Sequence, residues 1–100
     1  MSDPNDFIIP GQEPLIAPGV RGYTFEDEKE VWIPLIFAVR KGNGDVGRYL
    51  DGLPRSKRII VPTVTSSRLA GMLARRGFTE KGVTKDGDYC HAYVRESMEP

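Results

Sequence analysis

The rhythm of apolar and polar residues changes several times along this chain, and each change marks an element. From Val31 to Val39 the residues are apolar throughout, interrupted only by Pro34. Such a run, rich in β-branched and aromatic side chains, predicts a strand covered on both faces. Pro34 has no N–H to give to a ladder, so a central strand with a local break is expected there. Val20 to Phe25 alternates more loosely and carries Tyr23, Thr24 and Phe25, and the acidic turn Glu26-Asp27-Glu28 then joins the two strands as a hairpin.

After Lys41-Gly42-Asn43-Gly44 the period becomes helical. Val46, Tyr49, Leu50 and Leu53 recur at the spacing of one helix face, which predicts a short helix ending near Gly52 or Pro54. Arg58-Ile59-Ile60-Val61 reads as a strand closed by Pro62. Thr65, Ser66 or Ser67 can cap a second helix whose apolar face is Leu69, Met72 and Leu73 and which Gly77 stops. Phe78 to Thr84 and Tyr89 to Arg95 flank Lys85-Asp86-Gly87-Asp88, whose Asp-Gly step is a hairpin signal. The predicted order is β-β-α-β-α-β-β, a mixed sheet with two short helices in the α+β class.

Ahead of these elements, Pro4, Pro10, Pro14 and Pro18 interleave with short apolar pieces, which predicts an extended proline-rich arm over residues 1–19. Residues 20–100 then form a single domain, since 100 residues suffice for one core and not for two. Lys plus Arg number 14 and so do Asp plus Glu, so no global positive field draws the chain to nucleic acid or to an anionic membrane. The longest apolar run falls well short of the ~20 residues that span a bilayer, and no signal pattern opens the chain, so a cytoplasmic location is expected. One cysteine, Cys90, excludes an intrachain disulfide, and with His91 as the lone histidine no metal site is expected.

Gly42-Asn43-Gly44-Asp45-Val46-Gly47 lies between a buried strand and a helix. Glycines there let backbone amides approach a phosphate at a helix N-terminus, or they serve only the angles of a tight turn; the spacing fits both. Asp45 opposes an anion in the first helical turn. A Rossmann site is not supported, since no acidic strand end follows at the required ~20 residues in a continuing βαβ unit. Cys90 and His91 are neighbours on a strand and point to opposite faces, so they do not form a nucleophile and base. Cys90, Ala92 and Val94 read as a core face, whereas Tyr89, His91 and Tyr93 share the other and either line a pocket or form a half-exposed aromatic face. Glu26, Asp27, Glu28 and Glu30 receive an amine, supply a base or make a solvated turn. Arg55, Lys57 and Arg58 form one basic cluster, with Arg68, Arg75 and Arg76 on or near the second helix; there Arg75 and Arg76 also complement the negative helix end.

The run from Val31 to Phe78, and above all the closing Arg75-Arg76-Gly77-Phe78, resembles the C-terminal, acyl-CoA-binding half of the GNAT N-acetyltransferase superfamily in a truncated form. Compact proteins of this kind are similar to ones encoded by bacteriophages. The resemblance implies a mixed sheet with one helix on each side, and one core holding Ile60, Leu69, Met72, Leu73, Phe78 and Val94. It implies acetyl-CoA or coenzyme A as cofactor, with Val39, Lys41, Gly42, Asn43, Gly44, Val46, Gly47 and Ser67 binding it. In the family's R/Q-x-x-G-x-G/A turn, Lys41 matches the first position, Gly44 the first glycine and Val46 the small residue. Leu73 stands where many members have a tyrosine acid, and Ser66 or Ser67 where they have asparagine. The two helices that usually build the acceptor site have no counterpart in residues 1–30. Two functional readings follow: an N-acetyltransferase or its cofactor-binding remnant, and a noncatalytic interaction or assembly protein, a homodimer being the simplest way to cover the sheet surface left bare.

Overall fold

The computed structural model describes residues 11–62, 64–85 and 87–98. Its elements are β1 (Glu13–Ala17), β2 (Val20–Glu26), β3 (Glu30–Ala38), α1 (Asp45–Asp51), β4 (Arg58–Val61), α2 (Ser67–Ala74), β5 (Thr79–Lys85) and β6 (Asp88–Arg95). The predicted succession is present, and one further strand precedes it.

That strand corrects the expected arm. β1 pairs antiparallel with β2, and Pro18-Gly19 fills the two-residue turn between Ala17 and Val20, with Gly19 at φ 73°. Proline followed by a glycine of positive φ is the chemistry of a type II turn. Pro14 is tolerated because β1 is an edge strand. The sheet therefore begins at Glu13 rather than Val20, and the first ten residues of the expected arm lie outside the described residues.

The six strands form one mixed sheet in the order β1-β2-β3-β4-β6-β5, with β3 and β4 parallel and the other neighbours antiparallel. The expectation of one helix on each side does not hold. Leu50 of α1 and Leu73 of α2 enter the same core as Leu15, Val20, Val31, Ile33, Ile36, Ile59, Val61 and Phe78. The reason is topological. The connections β3-α1-β4 and β4-α2-β5 both link parallel strands and both step the same way across the sheet, and crossovers of the usual right hand then lie on one face. Trp32, Ile60, Val83, Ala92 and Val94 pack together on the other face, with Phe25 and Cys90 against them. Ile60 and Val94 are thus separated by the sheet from Leu69, Leu73 and Phe78, not joined with them in one core.

Pro34 marks the expected break. Tyr23 pairs with Leu35 but Phe25 pairs with Trp32, so Ile33 and Pro34 of β3 together face Thr24 of β2. This is a β-bulge, and it shifts the alternation: Val31 and Ile33 face the helices before it, Ile36 after it. Pairing with β4 covers only Glu30 to Trp32, against Arg58 to Ile60. Past the bulge β3 stays beside β2 as far as Ala38 and leaves β4.

Candidate functional site

The parting of β3 from β4 opens a groove of about 340 Å³. One wall is the end of β3 and the turn into α1, with Ile36, Phe37, Arg40, Lys41, Gly42 and Gly44. The other is the start of α2, with Ser66, Arg68, Leu69 and Met72; Val46 of α1 and Asp45 complete the lining. The inner surface is apolar and the cations belong to the turn and to α2.

Local sequence explains these positions. Gly42 and Gly44 both hold left-handed φ angles, 81° and 75°, and a Cβ on Gly42 would meet nothing, so backbone angle alone demands glycine there. Gly44 starts α1 without a side-chain cap. Of the three candidate caps for α2, Ser66 fills the role: its Oγ accepts the Leu69 N–H at 3.2 Å. At the far end Gly77 turns left-handed at φ 86° and the Phe78 N–H reaches the Leu73 carbonyl at 3.1 Å, closing the helix.

Among the residues expected to bind cofactor, Lys41, Gly42, Gly44 and Val46 come together in the groove lining. The others sit outside that lining. Val39 donates its N–H to the Gly19 carbonyl at 2.8 Å. The Asn43 amide donates to Asp45 Oδ2 at 3.0 Å. Gly47 is buried, and a Cβ there would stand 2.7 Å from Nη2 of Arg76. Ser67 is exposed on the first turn of α2, one residue past the cap. The sequence reading did not single out Arg40, whose position next to Lys41 was the available signal.

Asp45, the single carboxylate in the groove lining, is buried and engaged. It takes a hydrogen bond from Asn43 and an ion pair from Arg48, and it sits over Gly19, where a Cβ would overlap it. The Asn43 hydrogen bond, followed by Arg48 and Arg40, holds the Asp45 carboxyl below its usual range against the opposing effect of burial. Its charge is therefore already answered. Arg40, Lys41 and Arg68 have no hydrogen-bonded or ion-paired partner among the described residues, so the groove mouth is net positive.

The remaining candidates resolve into structure. Asp27 Oδ1 accepts the N–H groups of Lys29 and Glu30 at 2.8 and 2.7 Å, Glu26 pairs with Lys57 at 2.5 Å, and Glu30 takes both Arg58 at 3.2 Å and the Trp32 indole N–H at 3.1 Å. The acidic run is a pinned turn. An open depression of about 1050 Å³ lies beside it, but the Arg58 guanidinium there is shared between Glu30 and Glu96. On β6, Ala92 and Val94 are core residues and Cys90 packs against them, as the alternation implied. Tyr89 and His91 meet edge to face with ring centres 5.6 Å apart, and Tyr93 packs against the helix-side core. Among the described residues no group of three or more His, Cys, Asp or Glu is placed to hold a metal, and no helix is long and apolar enough to cross a membrane.

No protein-family model matches the chain, and no curated protein matches it. The crystal structure of the anti-CRISPR protein AcrVA5 is similar over 81% of this chain and 97% of that one, at 16% sequence identity and a TM-score of 0.48. At that level of likeness, what that protein does stays with it.

Proposed function

We propose that the groove between β3 and α2 is a GNAT-like site for acetyl-CoA or coenzyme A. The observation that carries this reading is the parting of β3 from β4 after Trp32 and Ile60, which leaves a strand edge beside a glycine turn. An extended amide-bearing arm pairs with such an edge as a strand would, and the amides around Gly42 and Gly44 take phosphate oxygens. The apolar lining suits the methylene portions of the arm, and the positive mouth suits the phosphates.

In this reading the amine attacks the thioester carbonyl directly, the C–S bond breaks as the C–N bond forms, and an acidic residue or water takes the proton from the nitrogen while the departing coenzyme A thiolate is protonated from solvent. Positioning and backbone polarisation of the carbonyl supply the catalysis. Leu73 is fully buried, so the family's tyrosine position offers no acid here. Titrating coenzyme A and then acetyl-CoA into the labelled protein, with backbone amide NMR as the readout, tests the site. Saturable shifts centred on Gly42 and Gly44 are expected; unmoved turn amides at millimolar ligand would sink the reading.

A second reading has its own observation. Across β1, β2 and β3, on the face away from the helices, Ile16 stands opposite Arg21 and Arg21 opposite Phe37, while Tyr23 stands opposite Leu35. Ile16 is 76% exposed and Phe37 49%. This apolar surface supports a noncatalytic interaction or assembly protein, with a homodimer as the simplest form. A species that stays monomeric from micromolar to millimolar concentration in sedimentation would count against the dimer.

A further inference from the structure

We infer that Arg68 sets an anion requirement for the groove: it meets ligand phosphate from the α2 side while Arg40 and Lys41 meet it from the turn, so that a diphosphate bridges the two walls. This deepens the cofactor reading above and rests on the same cavity. Three observations carry it. First, the cations come from separate elements but line one cavity. Second, they lack partners among the described residues, while Arg48, Lys57, Arg58, Arg76 and Lys81 are each paired with a carboxylate. Third, the carboxylate in the lining, Asp45, takes its hydrogen bond and ion pair from Asn43 and Arg48, and of the three cations Arg40 alone acts on it, through space.

Three like charges around a partly apolar cavity repel one another, and the repulsion is relieved when an anion enters. A guanidinium binds phosphate oxygens through paired N–H donors, and a lysine acts as a point charge, so the two walls contribute differently. A ligand without phosphate can occupy the apolar lining but leaves both walls unanswered. The ligand class that fits is a diphosphate ester with an extended, weakly polar tail.

Calorimetric titration of the full chain with coenzyme A, pantetheine and inorganic pyrophosphate tests this, with Arg68→Gln and Lys41→Gln as variants. Both residues are exposed, so both variants should fold, and circular dichroism confirms it. Wild type should bind coenzyme A much more tightly than pantetheine. Arg68→Gln should lose about tenfold or more for coenzyme A and pyrophosphate, as expected for removing a charge-assisted hydrogen bond, and leave pantetheine unchanged. Unchanged affinity of Arg68→Gln for coenzyme A overturns the inference and leaves the cofactor reading standing. Arg68-dependent binding of pyrophosphate without binding of coenzyme A does the reverse.

Discussion

Arg76 Nε, just past the end of α2, donates to Asp51 Oδ1 at the end of α1 at 2.9 Å, and its Nη1 donates to the Met72 carbonyl at 3.0 Å. The guanidinium is thereby laid over Gly47 and couples the two helices. A Cβ on Gly47 would stand 2.7 Å from its Nη2.

That arrangement predicts a change of sign. Alanine in a helix interior is worth about 0.5–1 kcal/mol over glycine, but here a Cβ would displace the Arg76 guanidinium. Gly47→Ala should be neutral or destabilising in the wild-type background and stabilising by about 0.5–1 kcal/mol once Arg76 is alanine. Urea unfolding of the two single variants and the double variant checks it, with Trp32 fluorescence as the probe. An equal effect in both backgrounds would show that Arg76 does not determine residue 47.

Gly22 should be the least replaceable glycine of the sheet. Its φ is 155°, and a Cβ there would overlap the carbonyl of Leu35 on β3, a backbone atom that cannot step aside. Gly22→Ala should cost about 3 kcal/mol or more. Thermal melting is the measurement. A loss under about 1 kcal/mol would mean that β2 and β3 are not in the register described.

Acid should weaken the α1 junction. Because the folded Asp45 carboxyl is held below its unfolded pKa near 3.8, its contribution is present above that value and is lost as pH falls through the folded pKa. Asp45→Asn should therefore be less stable than wild type near pH 6, and the gap should close at lower pH. Denaturant midpoints at several pH values test this; a gap independent of pH would place the cost in shape rather than charge.

Placing a phenol at residue 73, where the resemblance noted in the sequence puts a tyrosine, should not help the transfer proposed above. Leu73 is fully buried among Leu50, Ile59 and Phe78. Leu73→Tyr overfills that core and should cost about 1–3 kcal/mol without raising any acetyl transfer. Leu73→Ala should cost about 2–5 kcal/mol by leaving a cavity. A stable Leu73→Tyr variant with faster turnover would contradict the placement.

Much of this fold is written in local sequence. The apolar run of β3, the helical spacing of Val46, Tyr49 and Leu50, and the two alternating runs that became β5 and β6 each specify an element through its own period, and the elements formed where those periods lie; Asp86 of the expected turn between the last two lies outside the described residues. β1 was concealed because proline density reads as an arm, although Ala17-Pro18-Gly19-Val20 carries the residues of a two-residue turn. The side on which the helices lie is not a local property at all. It follows from strand order and crossover hand, which appear only when β6 is known to sit between β4 and β5. The groove is similar in kind: Lys41, Gly42 and Gly44 are neighbours in sequence, but Arg68 joins them only because β3 and β4 part.

The bulge at Ile33 and Pro34 makes β3 behave like a text with a shifted reading frame. Odd-numbered residues face the helices before it and even-numbered ones after it, so the strand's two halves are out of phase by one letter. Removing a single residue at that point would put the halves back in step and leave Ile36 facing the helices, whereas a one-residue deletion on either side of it, with the bulge kept, would turn one half of the strand over. The bulge is therefore the one place in β3 where a residue can be spared without turning the strand's core side chains over, and a one-residue deletion there should do less harm than the same deletion at Leu35 or Ile36.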